Sequence, residues 1–143
     1  MAPIMTTSNS HGLFGTWKLI SNRIRIEDTG EEFDLFGPSP RGVITFARNG
    51  RMTAILTTAE RPSPDGDADF KALMMGMSAY AGRFTIQDDH VVIEPDVMWL
   101  PYTRQIRFFD LEGDRLTLRT PVQELPIRPG RLLRNTIVWE RET

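Results

Sequence analysis

At 143 residues the chain has room for one domain with a substantial core and is too short for two ordinary ones. With 17 Lys and Arg against 19 Asp and Glu, its net charge is −2 and the two signs are interspersed, which gives neither nucleic acid nor an anionic membrane a surface to bind. The absence of cysteine excludes disulfides, thiol nucleophiles and thiolate metal sites, and is compatible with a reducing, cytoplasmic setting.

Residues 1–11 have neither a basic nor an apolar signal region and read as a flexible leader ahead of a single domain over 12–143. No window reaches the run of about 18 apolar residues that a membrane span needs. From there the dominant period is two. Residues 14–26 form a long strand candidate whose apolar positions change parity between Leu19 and Ile20, the mark of a bulge. The run 37–42, Gly-Pro-Ser-Pro-Arg-Gly, lacks the order of a phosphate loop and reads as a turn. Strands follow at 42–46 and 52–56, joined across Arg48-Asn49-Gly50, a strong hairpin signal. Beyond the Pro- and Asp-rich 61–66, the residues Phe70, Leu73, Met74 and Met77 fall at helical spacing behind capping aspartates Asp67 and Asp69, which predicts one short helix. Strands resume at 80–87, 90–94, 103–111, 115–120 and 132–139, with short reversals at Asp88-Asp89 and Glu112-Gly113-Asp114 and a Pro-containing loop at 126–129. The count is eight strands. With β-patterned segments at both ends, the expected fold is an all-β, eight-stranded antiparallel barrel, closed on itself and therefore possessing an inside.

Six short motifs, in order, carry a family likeness: Gly15-Thr16-Trp17-Lys18-Leu19-Ile20-Ser21, Phe36-Gly37-Pro38-Ser39-Pro40-Arg41-Gly42, Asn49-Gly50-Arg51-Met52, Ala79-Tyr80-Ala81-Gly82, Gln105-Ile106-Arg107-Phe108 and Val138-Trp139-Glu140-Arg141. Together they resemble the lipocalin-like domain family, over roughly Leu13 to Arg141. The resemblance implies an up-and-down barrel around an apolar cavity. It also implies that Trp17 plugs the closed end beneath a last-strand arginine, Arg141 or else Arg134. Distantly related barrels act as cyclases, hydratases or Diels-Alderases, an analogy at the level of the fold.

The chemistry-bearing candidates are few. Thr103, Gln105, Arg107, Phe109 and Leu111 share one strand face, so either Gln105 and Arg107 point inward or the strand is half exposed; the Gln-x-Arg pair matches a recurring position of the family, and that match favours the former. Inside a barrel the Arg107 guanidinium could grip a carboxylate or enolate oxygen. His90, with Glu94 on the same parity, could move protons, although Asp88-Asp89-His90 reads equally well as a turn and a first strand residue. The other histidine, His11, sits in the leader, and two histidines without cysteine do not supply a metal site. Tyr80 is the alternative proton mover. Phe46, Met52, Met74, Met77, Trp99 and Tyr102 are the candidate pocket wall, with ordinary core packing as the competing role.

The expected function is therefore the binding of a small, largely apolar, polyketide-like molecule. One reading makes the protein a cofactor-free cyclase or isomerase of secondary metabolism, of pericyclase or hydratase type, with Arg107 and Gln105 stabilising negative charge and Tyr80 or His90 moving the proton. A non-catalytic carrier and an interaction protein with a filled core are the alternatives. A homodimer is compatible with the pattern.

Overall fold

The computed structural model describes residues 12–125 and 129–143. The leader over 1–11, and with it His11, and most of the turn at 126–129 lie outside the described residues. The elements run β1 (Gly15–Ile26), β2 (Glu32–Asp34), β3 (Arg41–Phe46), β4 (Arg51–Thr57), α1 (Asp67–Met75), β5 (Met77–Ile86), β6 (His90–Met98), β7 (Gln105–Glu112), β8 (Arg115–Arg119) and β9 (Leu133–Arg141). Neighbours in sequence pair antiparallel from β3 to β9, and β1 pairs with both β3 and β9. Eight strands thus close into a barrel, and short β2 adds to the second half of β1 through Arg23 to Arg25.

Local chemistry explains the path. The β1–β9 register slips between Leu19 and Ser21, the bulge foretold by the change of parity, and Asn22, Ile24 and Ile26 then take the inward positions. At the β3–β4 turn Gly50 adopts φ 89°, and the Ala47 amide closes on the Arg51 carbonyl at 2.8 Å, a three-residue loop ending in a left-handed glycine. Gly82 faces a second bulge, between Pro95 and Val97 on β6. A Cβ there would lie 2.2 Å from the Glu94 carbonyl oxygen, so only glycine lets the two strands approach.

Two expectations are corrected. The helix ends at Met75 because Gly76 turns the chain, and Met77 is instead the first residue of β5, opposite Thr57. Nor do the aspartates cap the helix. Gly66 holds the N-cap position without a side-chain bond, and Asp69 instead accepts a hydrogen bond from the Asp65 amide at 2.8 Å. Arg61 ties off the other end, donating to the carbonyls of Leu73 at 2.9 Å and Gly76 at 3.0 Å, where the helix dipole favours a cation. The helix buries none of its residues, and Phe70 is 61% exposed.

The register divides the barrel lengthwise. The start of β1, the end of β3, the start of β4, the end of β5, the start of β6, the end of β7, the start of β8 and the end of β9 meet at one end. Large side chains fill that end: Trp17, Phe46, Met52, Phe84, Ile93, Leu116 and Trp139 belong to one buried cluster. At the opposite end Ile24, Ile26 and Leu133 form a smaller cluster with Phe33, Leu35 and Leu125, and the barrel is otherwise open there.

The filled end is sealed as the family resemblance implies. Arg141 lies over the Trp17 indole, its Cζ 4.1 Å from the ring centroid. Its guanidinium donates to the carbonyls of Phe14, at 2.9 Å, and Gly12, while the indole N–H donates to the Leu13 carbonyl at 3.0 Å. Arg134, the other candidate, is exposed and pairs with Glu27 at 4.0 Å.

Candidate functional site

A cavity of about 600 Å³ occupies the open half, within the size range of small-molecule sites. Its wall is mainly apolar: Leu35, Phe36, Leu56, Met75, Met77, Leu100, Leu125 and Ile137, with Tyr80, Trp99 and Tyr102 adding flat faces. A second hollow of about 270 Å³, between Arg61, Pro62 and Leu73, lies under the outer helix and is separate from the interior.

Gln105 and Arg107, alternate residues of β7, both line this cavity, which settles the orientation of that strand face. Arg107 Nη2 donates to Gln105 Oε1 at 2.6 Å and Nη1 to the Ile106 carbonyl at 2.8 Å, while Gln105 Nε2 donates to the Thr103 carbonyl at 2.9 Å. The pair is thereby held as one rigid unit. Among the described residues no carboxylate lies within ion-pairing distance of Arg107.

Tyr80 stands beside it. Burial pushes its phenol above the ordinary value of 10, nearby Tyr102 adds to the rise, and the Arg107 guanidinium pulls the other way. The phenol is therefore a neutral donor at physiological pH. Its ring meets Tyr102 edge to face at 5.3 Å, and the Tyr102 hydroxyl in turn accepts from Trp99 Nε1 at 2.8 Å and shares a hydrogen bond with Ser78 Oγ at 2.9 Å. These bonds fix the aromatic wall. Because the folded phenol holds its proton longer than the unfolded one, the stability it contributes is fully present below pH 10 and drains away as the pH climbs through the raised folded value. Urea titrations at pH 8 and at about pH 11 should show Tyr80→Phe losing less stability on alkalinisation than the parent; equal losses would show that the phenol titrates freely.

A polar row crosses the inner wall. Asn135 on β9 donates from Nδ2 to Asn22 Oδ1 on β1 at 2.5 Å and to the Arg23 carbonyl at 3.0 Å, and its backbone amide donates to Thr120 Oγ1 at 3.0 Å. Asn22 and Asn135 are only 2% and 7% exposed, and both line the cavity. Neither was singled out from sequence, although the change of parity in β1 already put Asn22 on the face of Ile24 and Ile26.

The remaining candidates fall elsewhere. Phe46 and Met52 are buried core at the filled end, and Met74 is exposed on the outer helix, so none of the three lines the cavity. Met77, Trp99 and Tyr102 do line it. His90 is corrected outright as a cavity group: it begins β6 at the filled end, where its Nδ1 meets Asp89 Oδ1 at 2.8 Å and its ring packs on Phe108 at 5.7 Å, opposite in parity to inward-facing Val91 and Arg107. Glu94 is exposed on the outer side, facing Arg83 across the β5–β6 ladder. Among the described residues no cluster of three or more His, Cys, Asp or Glu could hold a metal, and no helix is long and apolar enough to cross a membrane.

The fold is thus a closed antiparallel barrel, filled at one end and hollow at the other. The chain belongs to the lipocalin-like domain family, whose model matches residues 14–142. No curated protein matches it.

Proposed function

We propose that the protein binds a small, largely apolar organic molecule through an acidic or carbonyl oxygen, and that it promotes a cofactor-free isomerisation or cyclisation of that molecule in secondary metabolism. The observation that carries this reading is Arg107, a cation set in an apolar cavity with no carboxylate beside it among the described residues. In such a reaction Arg107, held by Gln105, stabilises the oxyanion of an enolate as it forms, Tyr80 donates to the same oxygen, and the carbon-bound proton leaves to water. The rigid aromatic wall restricts the substrate to few conformations, which is where cyclisation gains most.

Binding is tested with two dyes of similar bulk, anionic 1-anilinonaphthalene-8-sulfonate and neutral N-phenyl-1-naphthylamine. Both should bind saturably at one site per chain, the anion about tenfold more tightly, with no pH dependence near neutrality because His90 lies outside. No saturable binding, or no preference for the anion, would sink the reading. Catalysis is tested by proton NMR of 2-tetralone in deuterium oxide, where the protein should accelerate exchange of the α-protons and Tyr80→Phe should slow it.

A carrier is the second reading. It is favoured by the absence of histidine and the presence of a single carboxylate, Glu124, among the described cavity residues, which leaves no side chain well placed as a general base. Tight dye binding without accelerated exchange would select it.

A further inference from the structure

We propose that the Asn22 carboxamide is a second recognition point in the cavity, donating a hydrogen bond to a carbonyl or ether oxygen of a ligand whose acidic oxygen lies at Arg107. The inference rests on the reading of the cavity as a ligand site and deepens it, because it makes the ligand a two-ended molecule with an apolar body between two oxygen functions.

The argument begins with which way the amide points. Asn135 Nδ2 donates to the Arg23 carbonyl, which can only accept, so that atom of Asn135 is the nitrogen. Its other hydrogen goes to Asn22, so Asn22 must present oxygen there. The Asn22 nitrogen, with two N–H groups, is therefore turned away from Asn135, and it has no acceptor among the described residues. Asn22 is 2% exposed as a residue, yet its nitrogen is not one of the fully buried atoms that lack a partner, so it stays reachable from the hollow side of the wall. The cavity that Asn22 lines is where an acceptor would come from.

Placement supports the pairing with Arg107. The β7–β8 and β8–β9 registers set Arg107 beside Thr120 and Thr120 beside Asn135, and Asn135 reaches Asn22 on β1. These residues form a lateral belt across four adjacent strands, with apolar Leu56 and Met77 lining the cavity on other strands. Three strand spacings, roughly 14 Å along the curved wall, separate the backbones of Arg107 and Asn22, and both side chains shorten the gap. A single ring system bearing oxygen at both ends fits between them, whereas a ligand with one polar end would leave Asn22 unsatisfied.

The test compares 6-acetyl-2-naphthoate with 6-isopropyl-2-naphthoate, which share the carboxylate and nearly the same shape but differ in one acceptor oxygen. Calorimetric titration should show the parent protein preferring the acetyl compound about five- to tenfold. The preference should collapse to near one in Asn22→Asp, which keeps an oxygen to accept from Asn135, replaces the donor with a second acceptor and adds a negative charge that both naphthoates meet alike, and in Asn22→Leu. Thermal melts establish that each variant is folded, and if Asn22→Leu is not, Asn22→Asp decides. Equal binding of the two compounds by the parent, or a preference that survives in Asn22→Asp, overturns the proposal and leaves the Arg107 site standing. Failure of both compounds to bind overturns both together.

Discussion

Trp17→Ala should leave the protein poorly folded. The indole is fully buried and belongs to the cluster that fills the closed end, and truncating a large buried aromatic costs about 3 to 5 kcal/mol. A domain of this size is stable by only about 5 to 15 kcal/mol, so one substitution would consume much of the total. The indole also donates to the Leu13 carbonyl, which would lose its partner.

Arg141→Ala tests the same plug from the other side. The arginine adds a cation–π contact at 4.1 Å and two hydrogen bonds that hold the chain leading into β1. It should give a folded but weaker barrel, down by roughly 1 to 2 kcal/mol. In urea unfolding, a double-mutant cycle with Trp17→Phe as the gentler partner should return a coupling of about 0.5 to 2 kcal/mol. Zero coupling would mean that Arg141 acts only through its backbone hydrogen bonds.

What could be read from the sequence followed from how locally each feature is encoded. Strand β1, its bulge after Leu19 and the Gly50 turn are written in neighbouring residues, and all three are where the pattern put them. The plug was legible through the family likeness, which sets a last-strand arginine over the Gly-x-Trp indole, and closure of the barrel brings those two ends together. Strand β6 runs beyond Glu94, where the expected strand ends, because the bulge opposite Gly82 accommodates Pro95 and lets pairing continue to Met98. The helical stripe misled for a different reason. Phe70 and Met74 have the right spacing for burial, but both stay exposed, and the helix meets the interior through its last residue, Met75, at the cavity wall. For the site, parity grouped one face of β7 and the family likeness turned it inward, but neither gave the depth along the barrel. Phe46 and Met52 face inward like Tyr80, yet they sit at the end that is packed solid, and only the register between strands separates wall from core.

That separation sets up the second large effect. Arg107→Met should weaken binding of an anionic ligand more than tenfold while leaving the barrel at least as stable as before. The two halves of this expectation have one cause. Arg107 is half-buried and hydrogen-bonded to Gln105 and the Ile106 carbonyl but, among the described residues, has no ion partner, so a methionine of similar reach replaces its charge at little cost. When an acidic oxygen enters, the same guanidinium gains charge-assisted hydrogen bonds in a low-dielectric site, worth on the order of 2 kcal/mol, which corresponds to more than tenfold in affinity. Gln105 strengthens the effect by holding the guanidinium in place at 2.6 Å before the ligand arrives, so little entropy is lost on binding. Dye titration and urea unfolding of one preparation measure both halves. Lower affinity with a midpoint that stays or rises is the expected pair of results. If the midpoint falls by more than about 1 kcal/mol in stability while affinity is unchanged, Arg107 is a structural strut of the β7 wall and not the anchor of a ligand.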